Sequence, residues 1–143
     1  MIVRRARPDD RQLLFDIWDR AVRATHDFLG EGDRRHIAAL VRNSYLPNAH
    51  LWIAVEDDVP VGFMGMNGNE IESLFVDPAA HGRGIGRALV DHARTLTRPL
   101  RVDVNEQNPG AIGFYRHVGF HEVGRSPVDS GGRPYPLIHM ADD

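Results

Sequence analysis

The chain has 143 residues, with 17 basic side chains, all of them arginine, against 20 acidic side chains and no cysteine. The missing lysine excludes a P-loop lysine and a Schiff-base mechanism, and the missing cysteine excludes disulfides, thiolate nucleophiles and cysteine-ligated metals. A net charge of −3 does not fit a nucleic-acid-binding surface, so no nucleic acid is expected as a partner. A single domain over residues 1–143 is the expected organisation for this length.

The N-terminal segment does not have the features of a targeting signal. Its opening, MIVRRARPDD, lacks the apolar run of a signal peptide, and no later stretch has the roughly 18 consecutive apolar residues of a membrane span. The sequence therefore predicts a cytoplasmic protein with no membrane partner.

The first half of the chain predicts one strand, two helices and a three-stranded meander. Residues 2–4 form the strand, and Pro8 fits the start of a helix. Apolar residues at three- and four-residue steps predict a helix over residues 13 to about 24 and a second over residues 33–42, which residues 45–48 end. Three strands with short polar turns follow, at residues 50–55, 61–66 and 70–76.

The second half alternates between strands and helices. A glycine-rich loop leads into a helix that places Ile85, Leu89 and Ala93 on one face. A strand over residues 99–104, a helix capped by Asn108 and ended by Gly119, and strands over residues 120–125 and 135–140 complete the pattern. The order βααβββαβαββ predicts an α/β fold with a mixed sheet, of the α+β kind.

The loop His81-Gly-Arg-Gly-Ile-Gly86 has the clearest chemical meaning. Glycines between a strand and a helix leave main-chain N–H groups free to bind an anion, and the positive end of the helix adds to the attraction. The loop therefore predicts a pyrophosphate-binding site. It is not the dinucleotide-binding fingerprint, because the glycine spacing differs and no long βαβαβ array follows.

A second motif, Asn108-Pro-Gly-Ala-Ile-Gly-Phe-Tyr-Arg-His-Val-Gly-Phe120, lies further along the chain. Together the two motifs resemble the GNAT superfamily of acetyl-coenzyme-A-dependent N-acetyltransferases. Three shorter segments resemble the YjaB-type acetyltransferases of bacteria within it: Ala24-Thr-His-Asp-Phe-Leu29, Val104-Asn-Glu-Gln-Asn108 and Pro134-Tyr-Pro-Leu137. The resemblance implies a GNAT-like fold and acetyl transfer from acetyl-CoA, as cosubstrate, to a primary amine. That amine is a small molecule, a protein lysine or a protein N-terminus.

The resemblance also implies which residues bind acetyl-CoA. Main-chain N–H groups of the loop bind the pyrophosphate, the preceding strand pairs with the pantetheine arm, and the helix after Asn108 completes the groove. The family pattern begins with Arg or Gln where this chain has His81. The implied residues are Leu74, Phe75, Val76, His81, Gly82, Arg83, Gly84, Ile85, Gly86, Arg87, Asn108, Ala111 and Tyr115.

The implied chemistry is direct attack of the amine on the thioester, which suits a chain without a thiol nucleophile. Tyr115 matches the family's general acid, and a main-chain N–H of the strand ending at Val76 would stabilise the oxyanion. Glu72, acting through a water, is the predicted base, with Glu70 and Asp103 as alternatives. Strand alternation predicts that Glu70 and Glu72 share a face with Leu74 and Val76, away from residues 71, 73 and 75.

The acceptor amine is expected to bind among less regular segments. The predicted contacts are His26 and Phe28 after the first helix, Tyr135 in the loop over residues 126–136, and Glu70, Asp103 and Asn105 on two strands. No metal is expected, because Gly119 separates His117 from His121 and the two do not share a helix face. The chain is a monomer or a homodimer.

Two other function classes compete with this interpretation. A non-catalytic acyl-CoA-binding module would keep the fold but would not need Tyr115. A serine hydrolase would use Ser44 or Ser73, yet neither lies in a Gly-x-Ser-x-Gly elbow.

Overall fold

A computed structural model describes residues 1–143 and confirms the predicted fold class and order of elements. Seven strands form one mixed sheet in the order β1-β2-β3-β4-β5-β7-β6. The strands are β1 (Ile2–Arg5), β2 (His50–Glu56), β3 (Val59–Asn67), β4 (Glu70–Val76), β5 (Arg101–Asn105), β6 (His121–Ser126) and β7 (Leu137–Ala141). The helices are α1 (Arg11–Thr25), α2 (Glu31–Leu40), α3 (Leu46–Asn48), α4 (Ile85–Leu96) and α5 (Pro109–His117). A bilayer crossing needs a longer apolar helix than any of these.

Two tight turns join the strands of the predicted meander. Asp57 and Asp58 both have positive φ, 50° and 64°, as a type I′ hairpin between β2 and β3 requires. Gly68, with φ of 59°, occupies the first central position of the turn between β3 and β4. These turns leave β2, β3 and β4 antiparallel, as the sequence predicts.

The second predicted helix starts earlier and ends later than its apolar pattern indicates. α2 begins at Glu31, and the backbone continues through a π-helical turn, Val41–Tyr45, into α3. The helical stretch ends at Asn48, within the residues predicted to end it, but it extends beyond the predicted last helical residue, Arg42. Pro47 is the second residue of α3, close to the end of this helical stretch.

The ends of three later strands also differ from prediction. Pro99 and Leu100 precede β5 because the Leu100 N–H donates to the Asp142 side chain, 2.7 Å away, instead of to a strand. β6 begins one residue after Phe120, whose ring is buried in the core. Tyr135 stays in the loop before β7.

The helices lie in two layers, one on each face of the sheet. α4 and α5 cover the first face, where Leu89 and Val118 belong to the same core as Val102 of β5. α1 and the helical segment from α2 to α3 cover the second face of β2, β3 and β4, around Ile53 and Phe63. That second core takes no residue from β5, β6 or β7. The second face of those three strands is therefore open, and we call it the open face.

The parallel strands β4 and β5 separate in the middle of the sheet. They pair at Glu70–Arg101 and Ile71–Val102, and the ladder goes no further. Towards Val76 and Asn105 the two strands diverge, so a gap opens between them. This gap determines where a ligand can reach both faces of the sheet.

A β-bulge at Glu72 changes which residues of β4 share a face. Met66 of β3 pairs with Ile71, whereas the next residue, Gly65, pairs with Ser73, so Glu72 is an extra residue on β4. Ile71 consequently packs in the same core as Leu74 and Val76. The predicted alternation along the whole strand is wrong, because the bulge shifts it by one residue.

Candidate active site

A cavity of about 600 Å³ lies along the gap between β4 and β5. Its walls come from both helical layers: Ala21, Thr25 and His26 at the end of α1 on one side, and residues of α4 and α5 on the other. The cavity therefore connects the two faces of the sheet through the gap.

The cavity brings together the implied cofactor-binding residues with one exception. Arg83 does not line the cavity; its guanidinium lies 3.2 Å from the Glu56 carboxylate. The lining residues that were not predicted include Ala21 and Thr25, which belong to no motif, and Phe114 and His117, which lie within the second motif but were not assigned to the site. The implied residues that do line it are Leu74, Phe75, Val76, His81, Gly82, Gly84, Ile85, Gly86, Arg87, Asn108, Ala111 and Tyr115.

The glycine loop presents unpaired N–H groups to one end of this cavity. Gly82 and Gly84 have φ of 82° and 76°, a backbone conformation that favours glycine. The first intrahelical bond of α4 runs from the Ala88 N–H to the Gly84 carbonyl, at 3.0 Å, so the N–H groups before it have no helical acceptor. The positive end of the α4 dipole and the Arg87 side chain add to a site suited to phosphate groups.

The edge of β4 that faces the gap carries free main-chain groups. The Asp77 N–H donates to the Val61 carbonyl of β3, 2.8 Å away. Because hydrogen-bonding direction alternates along an antiparallel strand, Phe75 also faces β3, whereas Leu74 and Val76 direct their N–H and C=O groups into the gap. An extended ligand arm can pair with these groups as an additional strand would.

Tyr115 lies in the wall of the cavity next to the gap. Its ring packs edge-to-face against Phe114 and Phe120, with centroid distances of 5.1 and 5.3 Å. Burial raises the pKa of the Tyr115 hydroxyl, so the group remains protonated at neutral pH. Its ring position is fixed, and its proton is available to a group in the cavity.

Asn108 has a structural role at the start of α5. Its side-chain oxygen accepts a hydrogen bond from the Ala111 N–H at 3.1 Å, which confirms the predicted helix cap. Because the oxygen is used in this way, the side-chain NH₂ group is the part of Asn108 that can contact a ligand in the cavity.

His26 lines the cavity on the α1 side. Its Nδ1 lies 2.8 Å from the Thr25 hydroxyl, which itself donates to the Ala21 carbonyl. Nδ1 must therefore be the donor in this pair, and Nε2 carries the lone pair. Burial lowers the pKa of His26, so its ring is neutral at pH 7.

Phe28 and Tyr135 lie outside the cavity and continue the aromatic contacts of His26. The rings of His26 and Phe28 are 5.2 Å apart, and those of Phe28 and Tyr135 are 5.8 Å apart. The Tyr135 hydroxyl donates to the Asp33 carboxylate at the start of α2. The loop before β7 is thereby held against α2, beside the cavity.

The predicted base and its alternatives lie on β4 and β5, outside the cavity lining. Glu72 is exposed at the bulge, and Asp103 is exposed on the open face, opposite the buried Val102 and Val104. Burial, and then the charge of Asp103, raise the pKa of Glu70. Asn105 follows on the same side of β5.

Two polar residues of this face were missed from the sequence. The Nδ1 atom of His139 on β7 lies 2.5 Å from Asp103, and its Nε2 lies 2.7 Å from the Ser126 hydroxyl on β6. Only the strand order, in which β7 inserts between β5 and β6, brings these three residues together. No local sequence signal predicts it.

Neither serine considered for a hydrolase mechanism has a catalytic neighbour. The Ser73 hydroxyl bonds to the Tyr45 hydroxyl at 2.6 Å and accepts the Gly65 N–H at 3.0 Å. Burial raises the pKa of Tyr45 to about 12, so it is no base for Ser73. Ser44 is exposed, and its carbonyl accepts a hydrogen bond from Asn48.

Comparison with known proteins establishes the family. Residues 47–122 match the model of the acetyltransferase (GNAT) domain. The chain is also 50% identical over 140 residues to the peptidyl-lysine N-acetyltransferase YjaB of Escherichia coli strain K12, covering 97% of this chain and 95% of that protein. The chain belongs to the GNAT acetyltransferase family. It is an acetyl-CoA-dependent N-acetyltransferase, and the resemblance implied by its motifs is confirmed.

Other members of the GNAT family extend the comparison. The peptidyl-lysine N-acetyltransferase YiaC of Escherichia coli strain K12 is 33% identical over 123 residues, which is 85% of this chain and 84% of YiaC. The solution structure of apo-form YjaB from Escherichia coli superimposes with a TM-score of 0.93 at 48% identity, covering 99% of this chain and 98% of that one. The GNAT fold therefore extends over almost the whole chain.

Proposed function

We propose that this GNAT enzyme transfers the acetyl group of acetyl-CoA to the ε-amine of a lysine in a protein or peptide. The observation that carries the proposal is the cavity through the sheet, with an anion-binding loop and Tyr115 on one side and an open carboxylate-bearing face beyond the gap. The two relatives described above are named peptidyl-lysine N-acetyltransferases, which supports lysine as the acceptor.

Acetyl-CoA is proposed to bind along the cavity in an extended form. The pyrophosphate accepts hydrogen bonds from the N–H groups between Gly82 and Arg87. The pantetheine arm pairs with the main chain of Leu74 and Val76, and the thioester then lies in the gap beside Tyr115. The Asn108 NH₂ group closes the groove from α5.

The acetyl group is transferred in one displacement at the thioester carbonyl. The neutral amine attacks the carbonyl carbon, and the negative charge that develops on oxygen is stabilised by a main-chain N–H of β4 that faces the gap. The carbon–sulfur bond then breaks, and the Tyr115 hydroxyl gives its proton to the leaving thiolate, whose pKa resembles the 8.5 or so of a free thiol.

Glu72 is proposed as the base that accepts a proton from the acceptor nitrogen, through a water. The bulge sets the Glu72 carboxylate apart from the buried part of β4 and leaves it exposed next to the gap. It has no ion-pair partner, whereas Asp103 already accepts a hydrogen bond from His139. Glu70 also has no ion-pair partner but is partly buried, so Glu72 is the more exposed of the two carboxylates without a charge partner.

An acceptor panel tests this function directly. Free thiol release from acetyl-CoA is measured with an Nα-blocked lysine peptide, the same peptide with lysine replaced by norleucine, a peptide with a free N-terminus but no lysine, and a small diamine. We expect thiol release and an added acetyl group on the lysine peptide, and no release with the norleucine control. Acetyl-CoA binding without turnover of any acceptor would instead favour the non-catalytic acyl-CoA-binding module.

A further inference from the structure

A second cavity, a groove of about 500 Å³, lies between α1 and α2. Its α1 wall includes Phe15, Asp19 and Arg23, which recur at four-residue steps and therefore share one face of the helix. The other wall belongs to α2 and to the π-helical turn that follows it. We call this cavity the arginine groove, because four arginines line it: Arg23, Arg34, Arg35 and Arg42.

Positive charge exceeds negative charge in the arginine groove. Asp19 is the one acidic residue that lines it, and Glu31 at the start of α2 is the one other carboxylate paired with its arginines. Two carboxylates thus face four guanidinium groups, which leaves a formal charge of +2. The whole chain carries −3, so the groove is opposite in sign to the rest of the molecule.

Several guanidinium groups of the groove have N–H donors to spare. Arg42 has no carboxylate partner, and its guanidinium stacks on the Phe15 ring, 4.0 Å from the centroid. Stacking of this kind holds the plane of the group and leaves its N–H edges open. Arg23 contacts Asp19 through Nε alone, and Arg35 has a single contact of 3.7 Å, also through Nε. The terminal nitrogens of these three arginines can therefore bind further carboxylates.

One end of the arginine groove lies beside the acceptor side of the active-site cavity. Arg23 comes one helical turn before His26, which lines that cavity. Arg34 directly follows Asp33, whose carboxylate accepts a hydrogen bond from Tyr135 beside the cavity. The groove therefore begins next to the aromatic residues past which an acceptor reaches the gap.

The arginine groove is long enough for several residues of an extended peptide. Between Phe15 and Arg23, α1 rises by about 12 Å, at roughly 1.5 Å per residue. Arg42 marks the far end, because it stacks on Phe15. An extended chain advances about 3.3 Å per residue, so about four residues fit along the groove.

We propose that the arginine groove binds a run of acidic residues next to the acceptor lysine in the protein that is acetylated. The strands at the gap carry the carboxylates of Glu70, Glu72 and Asp103, which suit a lysine ammonium group and repel acidic neighbours. The groove supplies the opposite charge beside them. This inference rests on the proposed function and deepens it, because it names the class of lysine site that the enzyme selects.

Three Nα-blocked peptides of equal length, each with one lysine, test the inference. The lysine has four glutamates before it, four glutamates after it, or glutamine on both sides, and glutamine fills the remaining positions of the acidic peptides. Thiol release at saturating acetyl-CoA gives kcat and KM. Because the groove extends from one side of the cavity, we expect one acidic peptide to have a KM about 10-fold below that of the glutamine peptide, with the same kcat. In 1 M salt the difference should largely disappear, because the screening length falls to about 3 Å.

Variants of Arg42 assign this preference to the groove. Arg42→Gln should reduce the preference for the acidic peptide severalfold, and Arg42→Glu should shift it towards a peptide with four arginines at the same positions. A reversal of preference cannot result from unfolding, and thiol release with the glutamine peptide shows that each variant is folded. Arg116→Gln is the matched control, because Arg116 is an exposed arginine of α5 in the other helical layer, and it should keep the wild-type preference.

The possible failures separate the inference from the proposed function. Equal or higher KM values for both acidic peptides, an equal gain from both of them, or an unchanged preference in Arg42→Glu would overturn the groove as an acidic-peptide site, while lysine acetylation stands. Thiol release with none of the peptides would overturn the proposed function itself, and this inference with it.

Discussion

At the scale of single residues, Tyr115 is the side chain on which the proposed chemistry depends most. It is buried between two phenylalanine rings at the gap, so its position does not depend on its hydroxyl. Removing that oxygen should therefore affect proton transfer while leaving the groove intact.

We expect Tyr115→Phe to lower kcat by about 10²–10⁴, the range for loss of a general acid, with little change in the KM for acetyl-CoA. Because burial raises the pKa of Tyr115, the wild-type enzyme should show no loss of its acid below pH 10. Thiol release at saturating acetyl-CoA measures both effects. Tyr45→Phe is a matched control, since Tyr45 bonds to Ser73 outside the cavity. Equal rates for Tyr115→Phe and wild type would remove the general-acid role.

His92 provides a residue-scale prediction about stability. Its ring packs 4.2 Å from that of Trp52, its Nε2 is buried without a hydrogen-bond partner, and burial lowers its pKa. The unfolded chain, with a histidine pKa of about 6.5, then binds the proton more readily than the folded protein. Stability is therefore complete above about pH 6.5 and falls as the pH drops towards the lowered value in the folded state.

Urea unfolding at pH 7.5 and pH 5.5 measures this effect. His92→Phe, which keeps an aromatic ring against Trp52, should lose less stability between the two pH values than the wild type does. A residual loss is expected because burial lowers the pKa of His26 as well. His50→Gln, on an exposed position, serves as the control. If His92→Phe lost as much stability between pH 7.5 and pH 5.5 as the wild type, groups other than His92 would be responsible for the pH dependence of stability.

At the scale of elements, the loop before α4 is the segment that we propose binds the pyrophosphate of acetyl-CoA. Gly84 caps the helix with φ of 76°, where a side chain costs roughly 1–2 kcal/mol. A side chain at Gly84 would strain the loop whose main-chain N–H groups are proposed to converge on the pyrophosphate. A change at Gly84 therefore acts on affinity through backbone geometry, without adding or removing a charge.

Gly84→Ala should raise the dissociation constant for acetyl-CoA by roughly 5- to 30-fold, which corresponds to 1–2 kcal/mol. Isothermal titration with coenzyme A measures it. Gly32→Ala is the matched control: Gly32 lies inside α2, has open space around its Cα, and should leave the affinity unchanged while slightly raising the melting temperature. Wild-type affinity in Gly84→Ala would contradict the expectation that backbone geometry at Gly84 controls pyrophosphate binding.

The elements also show what local sequence can and cannot predict. The glycine loop, the Asn108 cap and the meander follow from residue chemistry that acts within a few positions, and all three were predicted. The bulge at Glu72 was not predicted, because it depends on how β4 pairs with β3 and cannot be recognised in the sequence of β4 alone. The helix through Pro47 was missed because a π-helical turn precedes the proline.

At the scale of the whole molecule, the sheet determines which distant residues meet. The GNAT motifs predict the residues along the cavity because both motifs lie beside the gap. His139 and Ser126 carry no motif, and only the insertion of β7 between β5 and β6 places them next to Asp103. Arg83 is the converse: it lies inside the glycine-loop motif, but its side chain pairs with Glu56 and does not line the cavity.

The absence of lysine affects both the mechanisms open to the enzyme and its capacity to acetylate itself. It excludes several mechanisms from the start and is compatible with the acid–base transfer that we propose at the glycine loop and Tyr115. All 17 positive side chains are guanidinium groups, which are not acetyl acceptors, so a lysine-specific enzyme of this sequence has no side chain of its own to modify.

The central claim is that acetyl-CoA occupies the cavity through the sheet and presents its acetyl group at the gap between β4 and β5. A crystal structure with acetyl-CoA tests it most directly. We predict the pyrophosphate on the N–H groups of residues 82–87, the pantetheine arm beside Leu74 and Val76, and the thioester within hydrogen-bonding reach of the Tyr115 hydroxyl. A thioester bound away from the gap, with Tyr115 and the open face both out of reach, would contradict the account.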